Sequence, residues 1–165
     1  MADKYMTLEN GKRKLNEAAD ASAGAANAGD IVALNAAGQI DPSMLPTTGT
    51  KSIEVGEAVS AGDFIEIYDD GGTTKVRPAD NSNGREANGY VLAAGTVASN
   101  VNVYFDGGNS SLSGMTPGAR QYLSTAGDVT ETPLDPATQT GIHQFLGVAS
   151  SATELCVQIE DCISI

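Results

Sequence analysis

From Ile53 to the C-terminus the chain offers only short apolar runs broken by glycine-rich turns, and no helical period of useful length appears after Pro46. The runs SIEV, DFIEIY, TKVRP, GYVLAAG and NVNVYF are punctuated by Asp69-Asp70-Gly71-Gly72 and Asp106-Gly107-Gly108, the residue chemistry of tight hairpins. Alternation assigns the faces: in DFIEIY, Phe64 opposes Ile65 and Ile67, and in NVNVYF, Val101, Val103 and Phe105 share one side. This pattern predicts a mainly β domain over residues 51–165.

The apolar mass available to that domain is small. There is no Trp, and three Phe and five Tyr stand against 19 Gly, so thin strands and tight turns are expected rather than a thick aromatic core. One modest core is affordable on this reading and a second is not. Residues 61–105 and 117–160 echo each other at an offset of about 54 to 56 residues. AGDFIEIY is answered by PGARQYLST, KVRPA by DVTETP, and GYVLAAGTVASNVNVYF by QFLGVASSATELCVQIE. Each half reads as strand, hairpin, strand, longer loop and two strands. Two such half-sheets facing each other predict a small β-sandwich or β-barrel with an internal duplication.

Residues 1–50 read as an N-terminal arm, a strand-turn-strand module and a linker. In KLNEAADASAGAANA the alanines favour helix while Gly24, Ser22 and the two Asn weaken it. Its apolar positions are almost all alanine, so the arm is expected to be extended or partly helical and to become ordered mainly against a partner. In GDIVALNAAGQIDPSMLP, residues 31–34 predict a short strand, 35–38 a turn, and Ile40 a second strand. Asp41 then caps a single helical turn over 42–45 that Pro46 stops, and 47–50 is the linker.

The formal charge of −12 is unevenly placed. Lys4, Lys12, Arg13 and Lys14 outweigh Asp3 and Glu9 over residues 1–14, so a basic arm precedes an acidic body. An acidic body repels phosphate, which disfavours nucleic acid as a partner. No stretch reaches the roughly 18 to 20 apolar residues of a membrane span, and MADKYMTLENGKRK lacks the apolar core of a signal peptide. No membrane partner is expected, and synthesis in the cytosol is. Cys156 and Cys162 would lie about 20 Å apart in one continuous strand, so a disulfide would need a turn between them. Two reduced thiols are expected, with Cys156 as a small hydrophobe.

Catalysis has little to work with. His143 is the only histidine; Cys156 or a serine paired with it is the one nucleophilic arrangement available, and no nucleophile-elbow pattern surrounds any serine. Two Cys and one His at these spacings match no zinc pattern. The segments 69–72 and 106–109 lack the full ligand ladder of a calcium loop and read as hairpin turns. Arg85-Glu86, in the polar loop NSNGREANG, reads as a solvated pair. No glycine-rich phosphate motif follows a strand and opens a helix. The expectation is a non-enzymatic chain with no cofactor and no metal.

The stretch GDIVALNAAGQIDPSMLP, residues 29–46, is similar to a short module of phage tail fibres and head fibres. The later text, AGDFIEIYDDGG, ANGYVLAAGTVASNVNVYFDG, SLSGMTPGARQYLSTAGDVTETP and FLGVASSATELCVQI, resembles bacteriophage capsid decoration, or cement, proteins and small β modules of phage fibres. The resemblance implies a homotrimer at junctions between capsomers, bound to the major capsid (coat) protein on the outer surface of the virion, without cofactor or catalysis. It also implies that the arm carries the capsid contact, a role that falls here on Lys4, Tyr5, Met6, Lys12, Arg13, Lys14 and Leu15. The 29–46 module supports an alternative, a head-fibre or tail-fibre component with a distal β head. Such a head would bind a host glycan, with Tyr68, Tyr90, Tyr104 and Tyr122 as its aromatic candidates.

Overall fold

Strands and turns dominate the computed structural model, which describes residues 4–21, 30–34, 36, 38–40, 44 and 49–165. The chain divides into two compact units, Met1–Thr48 and Gly49–Ile165.

In the first unit β1 (Lys4–Glu9) and β2 (Lys12–Glu17) form an antiparallel hairpin. Of the extended or partly helical arm expected here, the helical part is corrected: residues 14–17 belong to β2, and no described residue lies in an α-helix. The cause is local. Asn10 and Gly11 take φ of 52° and 75°, the left-handed pair of a two-residue turn whose twist matches the strands on either side. Further on, Ala19 bridges Val32 in parallel, with Ala19 N donating to Ile31 O at 3.0 Å and Ala33 N to Ala19 O at 2.8 Å. The expected helical stretch over 22–28, the turn positions 35 and 37, and the helical turn and linker at 41–43 and 45–48 lie outside the described residues.

The second unit begins with a closed barrel. Its strands β3 (Thr50–Val55), β4 (Phe64–Asp70), β5 (Thr73–Pro78), β6 (Gly89–Val91) and β7 (Asn100–Tyr104) run in the order β3-β5-β4-β6-β7. Closure depends on β3, which pairs antiparallel with β7 from Thr50↔Tyr104 to Glu54↔Asn100 and parallel with β5 at Glu54↔Lys75 and Val55↔Val76. Barrel width grows with strand number, and five strands leave a narrow interior. Ile53, Val55, Val59, Ile65, Val76, Val91, Val101 and Val103 fill it, all buried and all β-branched.

The remaining strands are β8 (Gly108–Asn109), β9 (Arg120–Leu123), β10 (Val129–Thr130), β11 (Ile142–His143), β12 (Phe145–Ala149), β13 (Leu155–Val157) and β14 (Ile163–Ser164). Five of them form a sheet in the order β10-β9-β12-β13-β8, the same succession as β5-β4-β6-β7-β3. Backbone detail repeats as well. Gly62 N donates to Val91 O at 2.8 Å and Val91 N to Asp63 O at 3.0 Å; Gly118 N and Ala149 N make the corresponding bonds to Ala149 O and Ala119 O at 2.8 and 3.0 Å. Here, however, β8 does not pair with β10, so the sheet stays open.

An open sheet must cover its inner face by other means. Met115, Leu123, Ala149 and Leu155 pack on Phe64, Ala79, Ala87 and Tyr90, the aromatic outer side of the barrel. The unit therefore holds two apolar clusters rather than the single core expected. Aliphatic β-branched side chains suffice inside the barrel, which frees the few aromatics to build the second cluster outside it. Phe64 and Tyr90 supply much of that second cluster, since an aromatic side chain buries about 150–250 Å². Polar clasps tie the layers: Asn109 Nδ2 donates to Gly62 O at 2.8 Å and Asn81 Nδ2 to Leu123 O at 2.9 Å, both buried. Among the described residues no buried side-chain nitrogen or oxygen lacks a hydrogen-bond partner.

Candidate interaction surface

The seven residues expected to carry a contact all lie on the β1–β2 hairpin, and its register sorts them onto two faces. Lys4 faces Glu17, Met6 faces Leu15, and Leu8 faces Arg13 across one side; Tyr5 faces Asn16, Thr7 faces Lys14, and Glu9 faces Lys12 across the other. Lys4, Met6, Arg13 and Leu15 are thus brought together, while Tyr5, Lys12 and Lys14 point away from them.

The Tyr5 side is partly covered within its own unit. Tyr5 Oη donates to Asp30 Oδ1 at 3.0 Å, Asn16 Nδ2 donates to Thr7 Oγ1 at 2.9 Å, and Lys14 Nζ lies 2.9 Å from Glu9 Oε2. Partial burial and the Asp30 hydrogen bond hold the Tyr5 phenol above its usual pKa. The other side is bare. Met6, Leu8 and Leu15 are 61%, 74% and 61% exposed, and Leu8, missed in the sequence reading, is the most exposed of the three. Among the described residues neither Lys12 nor Arg13 takes part in an ion pair, whereas Lys4 is paired with Glu17 at 3.5 Å.

The exposure extends beyond the hairpin. Ile31, Val32, Leu34 and Ile40 are also exposed, and every fully buried apolar side chain among the described residues belongs to the second unit. Ordering a residue costs about 1–2 kcal/mol in backbone entropy, while a fully buried aliphatic side chain contributes about 1.5–3 kcal/mol. Among its described residues the first unit has no such side chain to offset its ordering.

The second unit spends its polar groups on itself. His143 packs its ring on Tyr122 at 4.9 Å and sits in the β11–β14 pair, while Cys156 lies in β13 beside Val148 and Gly108, so the two are in different sheets. Cys156, expected to act as a small hydrophobe, is exposed, because its side of β13 is the outer one; both cysteines are free. Asp69 Oδ1 accepts from Gly72 N at 3.0 Å and Asp70 Oδ2 lies 2.8 Å from Lys75 Nζ, which commits both carboxylates of the first glycine turn. Among the described residues no group of three or more His, Cys, Asp or Glu side chains is placed to hold a metal. Arg85 is not merely solvated: its guanidinium holds Glu57 at 2.9 Å, and Glu86 accepts from Cys162 Sγ at 3.2 Å.

The four strand tyrosines do not form one site. Tyr90 is buried, donates to Asp106 O at 2.8 Å and stacks on Tyr104 at 5.5 Å; Tyr68 carries the Arg77 guanidinium on its ring at 4.3 Å; Tyr122 lies between His143 and Phe145. A cleft of about 590 Å³ beside β10 is lined by hydroxyl and amide side chains such as Asn81, Ser82, Thr130 and Gln139, with no charged or aromatic group. No protein-family model matches the chain, and no curated protein matches it.

Proposed function

We propose that this chain is a non-enzymatic structural protein of a bacteriophage particle, a cement protein that binds the major capsid protein on the outer surface of the shell and stabilises it as a homotrimer. The observation that carries the reading is the division of labour between the two units. Residues 49–165 hold two apolar clusters with every buried polar side chain partnered, and among the described residues of 1–48 Met6, Leu8, Leu15, Ile31, Val32, Leu34 and Ile40 are exposed. A self-sufficient body joined to a unit whose described residues bury no apolar side chain suits attachment to a repetitive lattice. Each subunit then favours the assembled shell because the site it fills exists only there. The resemblance of the β text to decoration proteins supports the same reading.

A head-fibre or tail-fibre component is the second reading. It is favoured by the exposed apolar residues Ile31, Val32, Leu34 and Ile40, which lie past the hairpin in sequence and suit a multi-chain stem.

Co-sedimentation with expanded, tailless capsids, with unexpanded shells as the control, tests the first reading. Saturable binding to expanded shells, lost when residues 1–48 are removed while the β body stays folded, is the expected result. A folded full chain that binds neither shell would reject the cement role in favour of the fibre reading.

A further inference from the structure

The body formed by residues 49–165 is acidic, yet its cleft beside β10 has no charged residue in its lining. The volume, about 590 Å³, falls within the roughly 300–1,000 Å³ of small-molecule sites. Nine of the eleven lining residues carry a hydroxyl or an amide, and the other two are the neighbours Pro133 and Leu134. Three chain segments are tied together at Asn81. Its N–H donates to Ser124 O at 3.1 Å, its Nδ2 donates to Leu123 O at 2.9 Å, and its carbonyl accepts from Ile142 N at 2.8 Å. The side-chain oxygen is the group left over. Asn81 is only 7% exposed, and its Oδ1 has no donor among the described residues, where no fully enclosed side-chain oxygen lacks one. That oxygen therefore opens into the cleft that Asn81 lines.

Two carboxylates stand behind the lining and not in it. Asp80 Oδ1 accepts from Ser82 N at 2.9 Å and from Ser82 Oγ at 2.6 Å, and Asp80 Oδ2 accepts from Ala126 N at 3.3 Å. Asp135 Oδ2 accepts from Thr138 Oγ1 at 3.0 Å, and Asp135 N donates to Gln139 Oε1 at 2.7 Å, which closes residues 135–139 on themselves. Ser82 and Thr138 thus direct their O–H groups at carboxylates, and their oxygens keep lone pairs for a donor from outside. The hydroxyls of Ser124, Thr125, Thr132 and Thr140 have no hydrogen bond to the protein among the described residues.

We propose that this cleft binds a neutral saccharide. Sugar hydroxyls both donate and accept, as the lining hydroxyls do. Asn81 Oδ1, Ser82 and Thr138 offer acceptors, and the four uncommitted hydroxyls serve either role. Pro133 and Leu134 give the C–H face of a sugar ring a dry contact. The lack of charge selects between sugars. An acidic saccharide would bring its carboxylate or sulfate into a cleft without a cation, on a body of negative net charge, whereas a neutral one meets no such cost. Bracing by Asp80, Asn81 and Asp135 also leaves little to be ordered when the ligand enters. The inference moves the saccharide contact away from the strand tyrosines, which share no site. It goes beyond the particle role and stands separately from it.

A printed array of neutral hexose and N-acetylhexosamine oligosaccharides beside sialylated and sulfated ones, probed with the full chain, is the first test. Binding confined to neutral members is expected; no bound saccharide, or a preference for the anionic ones, overturns the proposal. Calorimetry with the neutral oligosaccharide of strongest signal then locates the site. Thr132→Val combined with Thr140→Val removes two exposed hydroxyls at nearly constant volume. The pair should weaken binding at least about fivefold and leave the melting temperature unchanged. Thr74→Val, an exposed strand hydroxyl outside the lining, should leave the affinity as it is. An affinity unmoved by the double substitution, or lowered equally by Thr74→Val, overturns the assignment to this cleft. Co-sedimentation of the unaltered chain with expanded shells keeps the two ideas apart. A chain that binds shells and no saccharide rejects this inference alone, and one that binds a neutral saccharide and no shell rejects the capsid reading alone.

Discussion

The side chain of Gln144 acts as a strand partner for Ala87: its Oε1 accepts the Ala87 N–H at 2.7 Å and its Nε2 donates to the Ala87 carbonyl at 3.0 Å, satisfying both backbone groups of one residue. The same Nε2 also donates to Glu160 O at 3.0 Å, so one buried amide ties the loop before β6 to the segment after β13.

Replacing that amide by an apolar isostere leaves three backbone groups without their partner. Gln144→Met should cost about 2–5 kcal/mol, because unpaired buried polar groups cost about 1–3 kcal/mol each and some regain water. Urea unfolding checks this, and a loss below about 1 kcal/mol would show that Gln144 does not hold the layers together.

Gly147 sits at the bulge of β12 with φ of 151°, and a Cβ there would run into the Cys156 carbonyl of the neighbouring strand. Gly114, at φ of 76°, has open space around it. Gly147→Ala should therefore destabilise by about 3 kcal/mol or more, against about 1 kcal/mol for Gly114→Ala, where only backbone strain is added. Equal losses in thermal unfolding would mean that the strand contact yields easily.

Burial holds the Asp63 carboxyl above its usual pKa, with the Ser60 N–H bond acting in the opposite direction and the nearby Asp128 charge adding to the rise. A raised folded-state value means the native chain binds the proton more tightly than the unfolded one. This contribution therefore weakens stability as pH climbs through the interval above the unfolded value. Asp63→Asn keeps an acceptor for Ser60 and removes the charge. It should raise the melting temperature at neutral pH, with the gain shrinking toward about pH 3, where an ordinary Asp is itself mostly protonated. A gain that persists undiminished in acid would rule out the charge as its source.

The two thiols should differ in reactivity. Cys156 is exposed, while Cys162 donates its S–H to Glu86, and that bond together with burial pushes its pKa up and reduces the thiolate available. Iodoacetamide labelling of the native protein, mapped by mass spectrometry, should modify Cys156 well before Cys162, and Glu86→Gln should narrow the gap. Faster labelling at Cys162 would contradict this ordering.

The β character was readable because hairpin chemistry is local: Gly71-Gly72 take left-handed φ between the paired strands β4 and β5, whereas Asp106-Gly107-Gly108, expected as a second hairpin turn, instead carries the chain from β7 to β8, which lie in different sheets. The N-terminal hairpin was readable by the same rule. Asn10-Gly11 is a strong two-residue turn signal, but its flanks alternate lysine with single apolar residues, and the alanines downstream pulled the reading toward helix. The second cluster was hidden for a different reason. Counting apolar residues treats them as one pool, whereas Phe64 and Ile65, adjacent in sequence, enter separate clusters on opposite sides of β4. The split of the arm residues into two faces needed the register, which a one-residue shift would invert.

Gly49 leads directly into β3, and β3 is the strand that closes the barrel. A pull arriving from the N-terminal side therefore runs along β3 itself, against the antiparallel bonds that tie residues 50–54 to β7. Bonds loaded along the strand resist together in shear, whereas bonds at a frayed end would open one after another. The parallel rungs at Glu54 and Val55, with the Lys75–Glu54 ion pair at 3.3 Å beside them, lie at the far end of that strand and share the same load. A load applied at residue 49 along β3 would therefore be borne by the seam as a whole rather than by one rung after another.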